Sequence, residues 1–452
     1  MTSAKANHPA ILRDLGDGLI LRRATLQDSQ ALAAFNARIH SEADDGKPNE
    51  LVGAWTRDLV EAPHPTFSVG DITIVEDTHQ GEIVSSMNLI SQTWSYAGIE
   101  FKVGRPELVG THPDYRKRGL VRAQFEVIHQ WSAERGELLQ AITGIPYYYR
   151  LFGYEMVLNL SGGRAGYKPL IPKLKEGETE PFHLRPAKEA DLDFIDKLYR
   201  QGCWRSLVSC VRDEAQWRYE LTGKSRDNVN RSVLQVIETQ EGEMVGFLAH
   251  PPYTWGQMMP ATAYEVIPGM SWAAVTPSVI RFLQNIYEDY QPEAGEKEEF
   301  GTFGFWLGAE HPVYQVISDR LPRVRSPYAW YLRVPDLPAF LRLIIPVLED
   351  RLAVSPMCGH SGELNISFYR SGLRLTFDGG DIAQVEAWEP SPQGHSGDAT
   401  FPGLTFLQLV FGYRSLQELN YAFVDCYASH DTSRALLNCL FPKQVSNVWP
   451  VS

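Results

Sequence analysis

The stretch Glu107-Leu108-Val109-Gly110-Thr111-His112-Pro113-Asp114-Tyr115-Arg116-Lys117-Arg118-Gly119-Leu120-Val121-Arg122 decides how this chain is read. A short apolar strand is predicted to end at Pro113. Arg116, Lys117, Arg118 and Arg122 then crowd around one glycine, Gly119. The residues that follow have helical periodicity, with Val121, Phe125 and Ile128 on one ridge and Leu120, Val127 and Trp131 on the next. Strand, basic glycine loop and helix start together form an arrangement suited to a pyrophosphate. Backbone N–H groups free at a helix N-terminus point at the anion, the helix dipole favours negative charge, and glycine lets the backbone come close. The same spacing also suits a plain solvated basic turn.

Arg116-x-x-Gly119-x-Val121, following Val109-x-Thr111-x-Pro113, resembles the acetyl-CoA loop of the GNAT N-acetyltransferase superfamily. The general pattern ends in Gly or Ala, where this chain has Val121. The run Arg116 to Leu120 resembles the arginine-rich loop of one branch, the enhanced intracellular survival (Eis-type) acetyltransferases. The resemblance implies acetyl-CoA as cosubstrate. Val109, Gly110, Thr111, Arg116, Lys117, Arg118, Gly119, Leu120, Val121 and Arg122 would hold it. Gly110 would leave the thioester's approach to the strand backbone unobstructed.

A second motif is Tyr147-Tyr148-Tyr149-Arg150-Leu151-Phe152-Gly153-Tyr154-Glu155, which resembles the Tyr-x-x-Phe-Gly-Tyr signature of the same branch. Its first tyrosine corresponds to Tyr149, which the resemblance makes the general acid. Tyr147 and Tyr148 would line the groove, and Phe152 and Tyr154 would be core. The branch also folds its chain end back into the active site, where the terminal carboxylate acts as base; Ser452 holds that position. The chain ends Trp449-Pro450-Val451-Ser452, whereas the branch often ends in an aromatic residue. Chain ends are usually polar and frayed, so this apolar one is expected to be docked.

Working outward, Leu21-Arg22-Arg23-Ala24 with Asp28 and Leu32 is echoed by Leu184-Arg185-Pro186-Ala187 with Asp191 and Ile195, at an offset of 163. Glu76 with Gly81-Glu82-Ile83-Val84 is echoed by Glu238 with Gly242-Glu243-Met244-Val245. Two echoes in the same order read as a duplication of strand, amphipathic helix and strand pair. The second copy, Ala261 to Met270, lacks an Arg-x-x-Gly loop, so no cofactor is expected there. Residues 168–182 have the proline, glycine and charge content of a linker. Val334-Pro335-Asp336-Leu337-Pro338 marks a second boundary. Beyond it, Leu364, Ile366, Phe368 and Leu373, Leu375, Phe377 alternate with polar residues around Ser371-Gly372, which predicts a hairpin.

The expected fold class is α+β: two tandem GNAT-like mixed α/β domains followed by a small sterol-carrier-like α+β domain. The boundaries are 1–165, a linker at 166–182, a degenerate second copy at 183–334, and 335–452. A chain of 452 residues accommodates that number of domains.

Composition narrows the partners. Hydrophobic residues make up 44% and charged residues 21%, a soluble globular balance. A net charge of −13 disfavours nucleic acid, whose phosphates need basic surface. No apolar run reaches membrane-spanning length, and Met1 to Thr25 lacks a leader pattern, so no membrane partner and a cytoplasmic location are expected. Five scattered cysteines form no Cys-x-x-Cys, and Cys358-x-His360 has no further ligands nearby, so no metal is expected. The resemblance implies a homo-oligomer, hexameric within that branch. The activity it implies is acetyl transfer from acetyl-CoA to primary amines of small cationic molecules (aminoglycoside- or polyamine-like) or of lysine side chains. A strictly protein or peptide N-acetyltransferase, and a non-catalytic CoA- and lipid-binding protein, are the alternatives.

Overall fold

The structure is a computed structural model and describes residues 11–41, 46–293, 295–390 and 397–452. Residues 1–10 of the stretch read for a leader lie outside the described residues. The chain adopts a mixed α+β fold.

The decisive stretch folds as strand, basic loop and helix. Strands β1 (Ile11–Gly16), β2 (Leu19–Arg23), β3 (Ile72–Asp77), β4 (Glu82–Tyr96), β5 (Ile99–Thr111), β6 (Leu139–Ile142) and β7 (Glu155–Leu160) accompany helices α1 (Ser29–Ile39), α2 (Glu50–Glu61) and α3 (Leu120–Glu134). The α3 ridges pack inward as their periodicity predicts: Leu120, Phe125, Val127, Ile128 and Trp131 are buried. Val121, on the same ridge as Phe125, is only partly covered.

Next come β8 (Gly163–Tyr167), β9 (Phe182–Pro186), α4 (Leu192–Cys203), β10 (Val208–Val211), α5 (Glu214–Arg218), β11 (Val233–Thr239), β12 (Met244–His250), β13 (Met258–Ala261) and β14 (Ala263–Val266). They are followed by α6 (Trp272–Tyr287), β15 (Thr302–Phe305), α7 (Pro312–Val316), β16 (Arg323–Arg325) and β17 (Tyr328–Arg333). The chain closes with α8 (Leu337–Leu343), α9 (Ile345–Ala353), β18 (Gly362–Ser367), β19 (Gly372–Asp378), β20 (Asp381–Trp388), β21 (Ala399–Thr400), α10 (Phe406–Val410), α11 (Leu416–Ala422), β22 (Tyr427–Ala428) and α12 (Asp431–Leu440).

The largest sheet runs β1-β2-β3-β4-β5-β6-β17-β7, with β10 paired to β4. Two of its strands therefore come from beyond residue 183: β17 inserts between β6 and β7, and β10 extends the far half of β4. In return β8 leaves the first unit and pairs with β15 and β16. Strand pairing thus crosses the expected boundary near 165, whereas β18 to β22 pair only among themselves.

The two sequence echoes make the same contacts. Arg22 donates to both Asp28 oxygens, at 2.9 and 2.7 Å, and to Glu76 at 2.7 Å. Arg185 donates to both Asp191 oxygens, at 2.6 and 3.0 Å, and to Glu238 at 2.8 Å. Register agrees as well: Arg22 lies opposite Ile74 and Arg185 opposite Val236.

The expected hairpin pairs Leu364 with Leu375 and Ile366 with Leu373, all four fully buried. Its apolar face shares one core with Trp94, Tyr96 and Phe101 of the first unit.

Candidate active site

β5 pairs in parallel with β6 at only two positions, Val103 with Leu139 and Gly104 with Gln140. The next residues of β6, Ala141 and Ile142, keep only their partners in β17 on the opposite edge. From Arg105 onward β5 has no strand partner on that edge, so the two strands part and leave a cleft beside Arg105–Thr111. A register shift opposite Ser86 and Asn88 puts a bulge in the same segment, and Leu108 takes a left-handed φ of 50°. Bulges of this kind re-aim side chains next to functional sites.

The basic loop lies at one mouth of this cleft. Arg116, Lys117, Arg118, Gly119 and Arg122 are exposed. Lys117 has φ 63° and Gly119, the cap of α3, has φ 79°. Glycine takes that conformation without the cost a Cβ brings. The first-turn N–H groups of Leu120, Val121 and Arg122 have no partners within the helix. Around them, Arg118 reaches Asp17 at 3.4 Å and Arg116 donates to the Thr111 carbonyl at 3.4 Å. These donors and charges fit a pyrophosphate. Gly110 is needed for a different reason from the one expected: a Cβ there would lie 2.7 Å from Ile39 of α1. Its missing side chain makes room for the α1 terminus.

Tyr149 is 4% exposed and sits among Tyr148, Phe125, Tyr154 and Tyr331. Its hydroxyl faces Gly144, where a Cβ would come within 3.1 Å and where φ is 124°. Burial, and then the negative charge of Glu107, push the Tyr149 hydroxyl well above the usual tyrosine range. It is therefore a protonated donor at neutral pH. Tyr154 is fully buried and its hydroxyl pairs with His129 at 2.9 Å, while Phe152 lies 4.4 Å from Phe125 and is partly covered. Tyr148 is half-buried, whereas Tyr147 is 74% exposed with the Arg150 guanidinium over its ring.

The chain end reaches the same strand. Gln92 of β4 donates to the Val451 carbonyl. Arg105 of β5 donates to the Val451 carbonyl at 3.2 Å and to the Ser452 hydroxyl at 2.8 Å, and its other arm pairs with Glu107. Ser452 is 3% exposed. Arg105 thus joins the chain end to Glu107, and the charge of Glu107 is felt at the Tyr149 hydroxyl. Trp449 is held elsewhere: it stacks against Arg212 at 4.0 Å and packs on Tyr199 and Trp217 of the second unit. Arg212 also donates to the Trp449 carbonyl at 3.0 Å. The tail therefore bridges the second unit to the first.

Arg105, Glu107, Gln92 and Arg212 were not singled out from the sequence. A signal was present for two of them. Phe101, Val103, Arg105 and Glu107 share one face of β5, and two charges continuing a buried apolar face call for partners. Half-buried His64 feels the charges of Arg105 and of Lys224, which pairs with Glu220 at 2.6 Å. Burial, then Lys224 and Arg105, bring His64 down to about 3.

Residues 22–157 match the family model described as the acetyltransferase (GNAT) domain. No curated protein matches the chain. Among solved structures, it resembles a GCN5-related N-acetyltransferase from Anabaena variabilis, at 13% identity and TM-score 0.63, over 95% of this chain and 99% of that one. A GCN5-related N-acetyltransferase from Kribbella flavida gives 18% identity and TM-score 0.61, over 95% and 97%. Eis1 from Mycobacterium abscessus gives 13% and 0.59, over 95% and 99%. At these identities the likeness is one of fold. A GNAT acetyltransferase domain and its fold support acyl-CoA-dependent acetyl transfer. Among the described residues no helix is long and apolar enough to cross a membrane.

Proposed function

We propose that the protein transfers acetyl from acetyl-CoA to a primary amine, on a small cationic molecule or a lysine side chain. The observation that carries this reading is the convergence of Tyr149, Glu107, Arg105 and the chain end on the segment of β5 that has parted from β6. The basic loop and α3 N-terminus would hold the pyrophosphate, and Val109–Thr111 would align the pantetheine along the free strand edge. Acetyl-CoA supplies the thioester that an amine attacks.

The chain's own groups do the rest. An acceptor amine with a pKa of roughly 10 is mostly protonated at neutral pH, so a base is needed. The Ser452 carboxylate, delivered by a buried tail, takes that role. Tyr149, kept protonated by burial and by Glu107, donates to the departing thiolate. Arg105 fixes the tail to β5 and is a positioning residue.

The matching network of Arg22 and Arg185 supports the reading of 1–165 and 183–334 as related GNAT-like units joined by 166–182. The unit at 335–452 is read as sterol-carrier-like, its role being to bring the chain end across. A cytoplasmic homo-oligomer completes the reading. Release of free thiol from acetyl-CoA, measured against polyamines, aminoglycosides and lysine peptides, tests it. Turnover with a cationic amine supports the proposal; CoA binding without turnover on any amine overturns it.

A further inference from the structure

In the second unit the counterpart of the α1–β5 contact is reversed. In the first unit Gly110 of β5 leaves room for Ile39. In the second, Gly202 stands at the offset of 163 from Ile39, and the large side chain belongs to the strand: a Cβ on Gly202 would lie 2.3 Å from the Glu265 carboxylate of β14. A cavity of about 170 Å³ opens beside it, lined among others by Glu265, His311, Arg205, Cys203, Tyr199 and Trp449. At roughly 30 Å³ per water it holds about six water-sized groups.

Glu265 is 7% exposed. One of its oxygens pairs with Arg205 and has His311 Nε2 at 3.7 Å. The other, Oε2, is buried without a hydrogen-bond partner. An unpaired carboxylate oxygen out of water is costly, so it calls for a donor. His311 does not supply one: its Nδ1 accepts the Val313 N–H at 3.3 Å, and its Nε2 proton faces the Tyr264 carbonyl at 3.1 Å. Burial keeps His311 neutral by lowering it from the usual range. Burial likewise holds Cys203 as the thiol. The lining charges are then Arg205, Glu265 and the exposed Glu310, with an excess of one negative charge. Tyr199 and Trp449, whose rings already carry the Arg212 guanidinium at 5.4 and 4.0 Å, add apolar surface that suits the hydrocarbon body of an organic cation and not a metal ion.

We propose that this cavity is a second ligand site, taking a small primary amine whose ammonium donates to Glu265 Oε2 and whose apolar body lies against Tyr199 and Trp449. It is built from the second unit and the tail, apart from Tyr149 and Ser452, and does not depend on the acetyl-transfer reading.

Saturation-transfer NMR titrations of the full chain test it, with n-butylamine as probe and 1-butanol and butyrate as neutral and anionic isosteres. The amine is expected to bind about tenfold or more tighter than either isostere, as a hydrogen bond to a charged group gives. Glu265→Gln should bring the amine down to the level of the alcohol, while Tyr149→Phe should leave it unchanged. Equal binding of amine and alcohol, or amine binding indifferent to Glu265→Gln, overturns the site. If Glu265→Gln does not fold, crystals of the wild-type chain soaked with n-butylamine decide. Density within hydrogen-bond distance of Oε2 supports the proposal, and a cavity holding only water overturns it.

Discussion

Arg105 donates to the Ser452 hydroxyl at 2.8 Å across 347 positions of sequence. Arg105 is 4% exposed, and its remaining arm holds Glu107, whose charge acts on Tyr149. One buried side chain therefore ties the chain end to the strand that lines the cleft. Losing one partner of a buried pair typically costs about 3–5 kcal/mol, so this tie is also structural.

Cofactor affinity should depend on the exposed basic loop. Arg118 makes only a 3.4 Å contact with Asp17 and lies 5.5 Å over Tyr115, so little holds it away from a ligand. Arg118→Ala should weaken acetyl-CoA by about 1–3 kcal/mol, the range for a charge-assisted hydrogen bond. Calorimetry should give one site per chain, and two equivalent sites would contradict the assignment to the first unit.

Tyr149→Phe should lower kcat by roughly 10²–10⁴ with acetyl-CoA affinity nearly unchanged, as loss of a general acid does. The raised hydroxyl also sets the sign of a pH effect. Tyr149 stays protonated beyond its ordinary value of about 10, so it should add no falling limb to kcat below about pH 10. A Phe variant with full kcat would leave Tyr149 as packing.

Acid should destabilise the fold through one buried and two half-buried histidines. Burial lowers His64 to about 3, with Lys224 and Arg105 adding; it lowers His129 to about 3, with Arg333 adding, and His250 to about 4. The unfolded chain takes up these protons below about pH 6.5 while the folded chain does not, so stability is present above that pH and is lost as pH falls toward 3–4. At pH 5 each group contributes up to about 2 kcal/mol of loss. Thermal unfolding from pH 7.5 to 5 should show a falling Tm, and His129→Phe should flatten the slope at the cost of its contact with Tyr154.

The loop and the fold class were legible because they rest on local patterns. Gly119 needs its left-handed φ, and the α3 ridges read directly as buried faces. The two echoes were legible as matching local contacts, since Arg22 and Arg185 each hold an aspartate six residues on. The partners of the tail were not. Gln92, Arg105 and Arg212 meet it from hundreds of residues away, and period-2 alternation marks a buried charge without naming its partner. The exchange of β8 and β17 was hidden for the same reason, because both strands look like ordinary edges until sheet order is known. Gly110 was assigned to the ligand side, yet the space its missing Cβ leaves is taken by Ile39, a contact no spacing in the strand reveals.

The chain end gives the sharpest test. Trp449 is fixed by Arg212, Tyr199 and Trp217, and Val451 by Gln92 and Arg105, so the tail has anchors on both sides of the terminal residue's neighbours. Adding one or two residues after Ser452 leaves Trp449 and its stacking in place. It moves the carboxylate, however, and Ser452 is 3% exposed, so the extra residues have no room where the carboxylate now lies. The expected product is folded with Trp449 docked, at a lower Tm because the Arg105–Ser452 tie is disturbed, and binds acetyl-CoA with parental affinity. Its kcat should fall by about 10²-fold or more, the lower range for loss of a general base. Tryptophan fluorescence and limited proteolysis report whether the tail stays docked. Full turnover by an extended chain whose tail is shown to be in place would falsify the terminal base. Trp449 would then serve only to staple the second unit to the end of the third.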